Sequence, residues 1–214
     1  MRAVKKRWAL IGGILAFFAL AIVFLLNVTR LAPEKRIKAE TISKYMENGD
    51  IICRLGDRLW SLYFKDISIT DKRFSHCGIV RIVNNKITVI NAEGRAIQGE
   101  DFVNEVDLDD FLKIAKAIGI YRINNHDGNL VSNTALEYKG RQFDWNWDLQ
   151  DDSKIYCTEL LYVILKKIAP EIELQTVYLK EIGKDIIPVE AFSNSPHFKE
   201  ILYIRADGAE ASEI

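Results

Sequence analysis

Three residues of this chain have types and settings suited to nucleophilic chemistry: Cys157, His76 and Glu93. A helix N-terminus carries partial positive charge, which favours a thiolate over a thiol, and its free N–H groups can receive the oxyanion of a tetrahedral intermediate. Cys157 falls in the first turns of a strong helical pattern, within DDSKIYCTELL, and is the candidate nucleophile. The competing reading is a small buried hydrophobe, the commoner fate of a lone helical cysteine.

His76 and Glu93 lie in SHCGIVRI and KITVINAE, two runs of strand character joined by Asn84 and Asn85, which tolerate the positive φ of a tight hairpin. With those two as the loop, Val83 faces Lys86, and further along the ladder His76 faces Glu93. Directly opposed side chains share a face, with Cβ atoms about 5 Å apart. The carboxylate would then fix the imidazole tautomer and stabilise the imidazolium. A bulge or an odd-length loop would send the two to opposite faces, and a purely structural His–Glu pair at a sheet end is the alternative.

Asp144, Trp145 and Tyr156, just ahead of the candidate nucleophile, are candidate substrate-binding residues, although Trp-rich stretches more often pack a core. Cys77 neighbours His76 on a strand, so the two point to opposite faces and cannot chelate one metal. No metal ligand set and no organic cofactor is expected. Cys53 and Cys77 read as separate buried thiols, with a disulfide as the alternative. Glu159 is assigned capping or salt-bridge duty.

These residues need elements to hold them. Ile42, Tyr45 and Met46 recur at helical spacing, the turn Asn48-Gly49-Asp50 follows, and residues 51–55 read as a buried strand. A helix carries Leu59, Trp60 and Tyr63. After the hairpin come a strand over 117–123 and a helix over 129–139 closed by Gly140. The strongest helix spans 153–169, capped by Ser153, with Leu160, Leu161, Ile164 and Ile168 on its apolar face and Pro170 beyond its end. A last strand covers 200–205. Strands joined by hairpins, with helices before and after, indicate an α+β domain with a mostly antiparallel sheet.

Composition narrows the function. The chain has 214 residues, with 29 Lys plus Arg against 30 Asp plus Glu, so it carries no electrostatic footprint for nucleic acid. Glycine-rich phosphate loops are absent. Arg2, Lys5, Lys6 and Arg7 precede an uncharged apolar run over 8–26, about 28 Å long as a helix and close to a bilayer's hydrocarbon thickness. The run is longer than a usual signal-peptide core and no small-residue cleavage site follows, so an uncleaved anchor is favoured over a cleaved signal. The expected organisation is a basic segment 1–7, a transmembrane anchor 8–27, a linker 28–41, a globular domain 42–206 and a tail 207–214. The N-terminus is expected inside and the domain outside the cytoplasm.

The ordered series GDII (49–52), SHCGIV (75–80), NAEG (91–94), YKGRQFDW (138–145) and YCTELL (156–161) resembles the YaeF/YiiX group of permuted papain-like cysteine amidases and peptidases. Thr158 stands where similar proteins often have Ser. The resemblance implies a circularly permuted papain-like fold, with Cys157 as nucleophile, His76 as base and Glu93 as the polar third member. The order His, Glu, Cys is what permutation would give, because a triad is defined by geometry. The resulting expectation is a membrane-anchored cysteine hydrolase cleaving amides, with cell-wall peptides as the favoured substrates. A lipid acyltransferase or esterase acting on acyl-lipid, and a catalytically silent binding module, are the alternatives.

Overall fold

Short runs of consecutive apolar residues, such as 51–53, 79–80 and 89–90, suit strands buried on both faces, and the computed structural model has helices on both sides of its sheet. It describes residues 36–94 and 101–207. In chain order these form α1 (Ala39–Ile42) with a 3-10 turn (Ser43–Tyr45), β1 (Ile51–Gly56), α2 (Leu59–Ile67), β2 (His76–Val83), β3 (Lys86–Glu93), β4 (Phe102–Asp107) and α3 (Leu108–Leu112). There follow β5 (Ala115–Ile123), α4 (Gly128–Leu136), α5 (Cys157–Ile168), β6 (Val177–Leu179), β7 (Lys184–Ile186), α6 (Glu190–Ser193) and β8 (Phe198–Arg205).

The main sheet is six-stranded in the order β4-β3-β2-β1-β5-β8, with every neighbouring pair antiparallel. Strands β6 and β7 form a separate ribbon. Period-two alternation sorts the core into two halves. Ile51, Cys53, Cys77, Ile79, Ile90, Ala92 and Tyr121 face α4 and α5, where Val131, Leu160, Leu161 and Ile164 meet them. Ile52, Val80, Val89, Ile118 and Ile120 face the other way, against Ile42 of α1 and Leu108, Phe111 and Leu112 of α3. This is the α+β architecture expected from the sequence.

The β2–β3 hairpin turns on Asn84 (φ 49°) and Asn85 (φ 63°), and its register runs from Val83↔Lys86 to Ile79↔Ile90 as the two-residue loop dictates. At the sheet's β4 edge, residues 140–143 form a strap. Gly140 N–H donates to Val103 O, Val103 N–H to Arg141 O and Phe143 N–H to Asp101 O, each at 2.8 Å. Gln142 then bridges to Lys154, and Ile155 N–H donates to its carbonyl at 2.9 Å, just ahead of α5.

Two expectations need correction. The helix assigned to 153–169 begins four residues later, because its N-cap is Tyr156 rather than Ser153, with the Tyr156 N–H donating to Glu159 Oε2 at 3.1 Å. The folded domain reaches back into the segment assigned as linker, since Ile37 is buried and Ala39–Ile42 is helical. Strand β4, the short α3 and the β6–β7 ribbon were not foreseen. The basic segment 1–7, the anchor 8–27 and most of the 207–214 tail lie outside the described residues. Among the described residues, no helix is long and apolar enough to cross a membrane.

Candidate active site

The later helix start moves Cys157 to the first helical position of α5, where the unpaired N–H groups of the helix concentrate. Apolar residues behind it (Leu160, Leu161, Ile164) seat α5 on the sheet and so fix the sulfur's position. Cys157 is half-buried, unlike Cys53 and Cys77, which are buried; all three are free thiols. The Cys157 thiol is held well below the ordinary range: the neighbouring Cys77 thiol, the charge of His76 and a hydrogen bond from the imidazole act in that direction, against the upward push of burial. Burial drives Cys77 the other way, well above the ordinary thiol range, with its hydrogen bond to Cys157 adding to the effect.

His76 opens β2. Its Nε2 lies 3.0 Å from Asn91 Oδ1. Asn91 is fully buried, and its Nδ2 donates to Asn104 Oδ1 at 3.1 Å on β4, its directly opposed cross-strand partner. That second bond assigns Oδ1 to face the imidazole, so Nε2 is the N–H donor and Nδ1 is left as the nitrogen for proton exchange. The imidazole also packs on Phe111 of α3, ring centroids 5.8 Å apart and tilted by 32°.

Glu93, expected to orient His76, has a different duty. Its Oε1 accepts from Arg54 Nη2 at 2.6 Å. Arg54 is the residue directly opposite His76 on β1 and is 3% exposed. Its guanidinium lies 4.4 Å over the Phe111 ring and donates to the Phe111 carbonyl at 2.9 Å. A buried cation beside the imidazole demands a counter-charge, and Glu93 supplies it. The partner of His76 is instead Asn91, a diagonal neighbour, reachable because Gly78 occupies the place beside it: a Cβ on Gly78 would come within 3.0 Å of Asn91 Cβ.

Two of the three candidate substrate-binding residues are occupied by the fold itself. Asp144 is buried, and its carboxylate accepts from Asn146 N–H at 2.8 Å and Asp148 N–H at 2.6 Å, holding the loop ahead of α5. Tyr156 is buried, and its hydroxyl accepts from Ile187 N–H at 3.0 Å. Trp145 differs: it is 49% exposed and stacks on Phe143 at 4.7 Å, next to Gly94. The same loop puts Trp147 at φ 56°, a left-handed conformation rare for a bulky residue, with its ring 4.9 Å from Tyr156 and 5.7 Å from Phe64 of α2. Beneath it, Glu159 is fully buried; Oε2 accepts from Tyr156 N–H at 3.1 Å while Oε1 has no partner. Burial raises its pKa to about 8.

Sequence reasoning missed Asn91, Arg54 and Cys77 as parts of the site. The signal for Asn91 was present: it sits two residues before Glu93 on the same face of β3. An amide on the diagonal competes with a carboxylate on the direct rung once that carboxylate has a cation.

Comparison with known proteins places the fold and the family. A family model described as permuted papain-like amidase enzyme, YaeF/YiiX, C92 family, matches residues 45–187. Among solved structures, the one titled metalloprotein YiiX from Escherichia coli O157:H7 aligns with a TM-score of 0.59 at 16% identity, covering 72% of this chain and 96% of that one. A search of curated protein sequences finds no match.

Proposed function

The chain belongs to the YaeF/YiiX family of permuted papain-like cysteine amidases, and from that premise we propose that Cys157, His76 and Asn91 form its catalytic triad in a membrane-tethered hydrolase of amide bonds. The observation that carries this reading is the convergence on one sulfur: a helix start and an imidazole both favour the Cys157 thiolate, and the imidazole is itself oriented by a buried amide.

In the proposed reaction the Cys157 thiolate attacks the substrate carbonyl carbon, and the oxyanion takes hydrogen bonds from N–H groups at the start of α5. His76 gives its Nδ1 proton to the leaving amine as the C–N bond breaks. Asn91 keeps Nε2–H engaged throughout, so the ring does not rotate away from the sulfur. Water then enters, loses a proton to Nδ1 and attacks the thioester, releasing the acid and restoring the thiolate.

The YiiX structure is titled a metalloprotein. Among the described residues here, no group of three or more His, Cys, Asp or Glu could hold a metal ion, and the donors around Cys157 are thiol, imidazole and amide. The apolar run over 8–26 is the proposed tether, which would hold the domain near peptides of the cell envelope.

A second reading, hydrolysis or transfer of an acyl-lipid, draws support from the exposed apolar residues of α2. Leu59, Trp60, Leu62 and Tyr63 are all at least 39% exposed, and Phe64 of the same helix touches Trp147 ahead of the nucleophile. Turnover of peptide amides against acyl-lipid esters by the full chain separates the two. Either activity should fall by at least about 10³-fold in Cys157→Ala and His76→Ala. Wild-type turnover of neither substrate class, with Cys157 alkylating like a free thiol, would leave only a binding module.

A further inference from the structure

Helix α2 is seated on the domain by its smallest side chain. Ser61 is its one buried residue and packs on Gly56 of β1, where an added Cβ would come within 2.4 Å of the Ser61 hydroxyl oxygen. The large apolar side chains Leu59, Trp60, Leu62 and Tyr63 point outward instead, and Ile69, just past the helix, is 68% exposed. A surface helix ordinarily turns such a stripe towards the core. Around the stripe, Arg58, Lys65 and Lys72 outnumber Asp57 and Asp66. The Arg58 guanidinium lies 5.7 Å over the Trp60 ring, and Asp66, the one acidic residue of the helix, stands between Lys65 at 3.9 Å and Lys72 at 3.8 Å. Aromatic rings with a polar edge, beside long basic side chains, suit the boundary between lipid headgroups and acyl chains.

We propose that the outer face of α2 is a membrane-contact surface: Leu59, Trp60, Leu62, Tyr63 and Ile69 enter the interfacial layer of a bilayer, with Arg58, Lys65 and Lys72 at the level of the headgroups. The proposal rests on the reading of residues 8–26 as a tether, and the tether selects a lipid surface as the occupant. Nine residues, 27–35, separate the apolar run from the first described residue, so they span at most about 30 Å and keep the domain beside the bilayer. A helix of this kind lies in the plane of the interface with its apolar side chains down, and several such side chains with a basic rim hold it there. The contact reaches the proposed catalytic residues through three rings. Phe64, on the inner side of α2, lies 5.7 Å from Trp147, and Trp147 lies 4.9 Å from Tyr156, the N-cap of the helix that Cys157 begins. Docking α2 therefore sets the Cys157 site against the lipid surface.

The test uses the full chain reconstituted in vesicles of phosphatidylcholine and phosphatidylglycerol, with a nitroxide label at Leu62→Cys in a Cys157→Ala background; Cys53 and Cys77 are buried. Val83→Cys, at the exposed end of the β2–β3 hairpin, carries the label in the control. Electron paramagnetic resonance reads collisions of the label with oxygen, which concentrates in the bilayer, and with a nickel chelate confined to water. The label at position 62 should favour oxygen where the label at 83 favours nickel. Adding Leu59→Gln and Tyr63→Gln, both at exposed positions, should shift the label at 62 to the value at 83 with an unchanged circular dichroism spectrum. A label at 62 as open to nickel as that at 83, on a chain that floats with the vesicles after carbonate extraction, overturns the docking and spares the tether. A chain that fails to float overturns both. Protection at 62 that survives the two Gln substitutions overturns the role of this face. Protection that vanishes on dilution to one copy per vesicle assigns the face to a second copy and overturns membrane contact.

Discussion

His76 Nε2 and Asn91 Oδ1 meet across a diagonal of the β2–β3 ladder, 3.0 Å apart, while the carboxylate of Glu93 is bonded to Arg54. The polar member next to the imidazole is thus an amide, whose orientation is set by Asn104. Asn91→Ala should lower kcat by about 10²-fold, the lower end of what a positioned acid–base group contributes, with little change in KM. Steady-state kinetics on Asn91→Ala and Glu93→Gln side by side check the assignment. A larger kcat loss in Glu93→Gln would return the orienting role to the carboxylate.

Glu93 should matter more for stability than for turnover. Removing it in Glu93→Ala leaves the Arg54 guanidinium, 4% exposed in its side chain, without this carboxylate, and breaking buried pairs in this way costs about 3 kcal/mol. Urea unfolding should show the midpoint falling without a change in slope. Arg54→Met, which removes the charge and retains contact with Phe111, should cost less than Glu93→Ala.

Glu159 gives stability a defined pH dependence. Its folded pKa is raised from 4.5 to about 8 by burial, so the folded state binds the proton more tightly than the unfolded chain. The sign follows from linkage: stability is highest below about pH 4.5 with respect to this group and is lost as pH rises towards 8, by about 3–5 kcal/mol in total. Glu159→Gln keeps an oxygen for Tyr156 N–H and cannot ionise. Denaturant unfolding between pH 5 and 8.5 should show a falling stability in wild type, relative to a flatter line in Glu159→Gln. Parallel lines for the two proteins would refute the assignment.

Gly78 holds open the space that the diagonal needs. A Cβ there would lie 2.5 Å from Val89 Cγ1, 2.9 Å from the Ile90 carbonyl and 3.0 Å from Asn91 Cβ, so β3 must shift to admit it. Gly78→Ala should destabilise by about 2 kcal/mol and reduce kcat beyond what the folded fraction explains, because Asn91 moves with its strand. Melting temperature and kcat per folded molecule, measured together, check both parts.

Local signals in the sequence were sufficient wherever one interaction type decided the outcome. Asn84-Asn85 set the hairpin and its register, and the apolar face of Leu160, Leu161 and Ile164 set the nucleophile helix. Where two local interactions competed, the tertiary structure chose. Ser153 is an adequate cap, but Tyr156, three residues later, has its N–H bound by the Glu159 carboxylate, and Cys157 stands at the helix start. Glu93 was correctly placed on the face of His76, yet the buried Arg54 across the sheet claimed it. Cys77 was read as facing away from His76; what periodicity could not show is that the far face is where α5 begins. Strand β4 escaped notice because its pattern, FVNEVD, has apolar residues too sparse to stand out.

The strap over residues 140–143 ties two regions that are otherwise far apart in role. It occupies the hydrogen-bonding groups at the start of β4, on Asp101 and Val103, and is tied through Gln142 to Ile155, two residues ahead of α5. An incoming strand from a second chain would have to peel the strap off before adding to this sheet. Peeling it would pull on Ile155, two residues ahead of Cys157, so strand addition at this border is coupled to the placement of the sulfur.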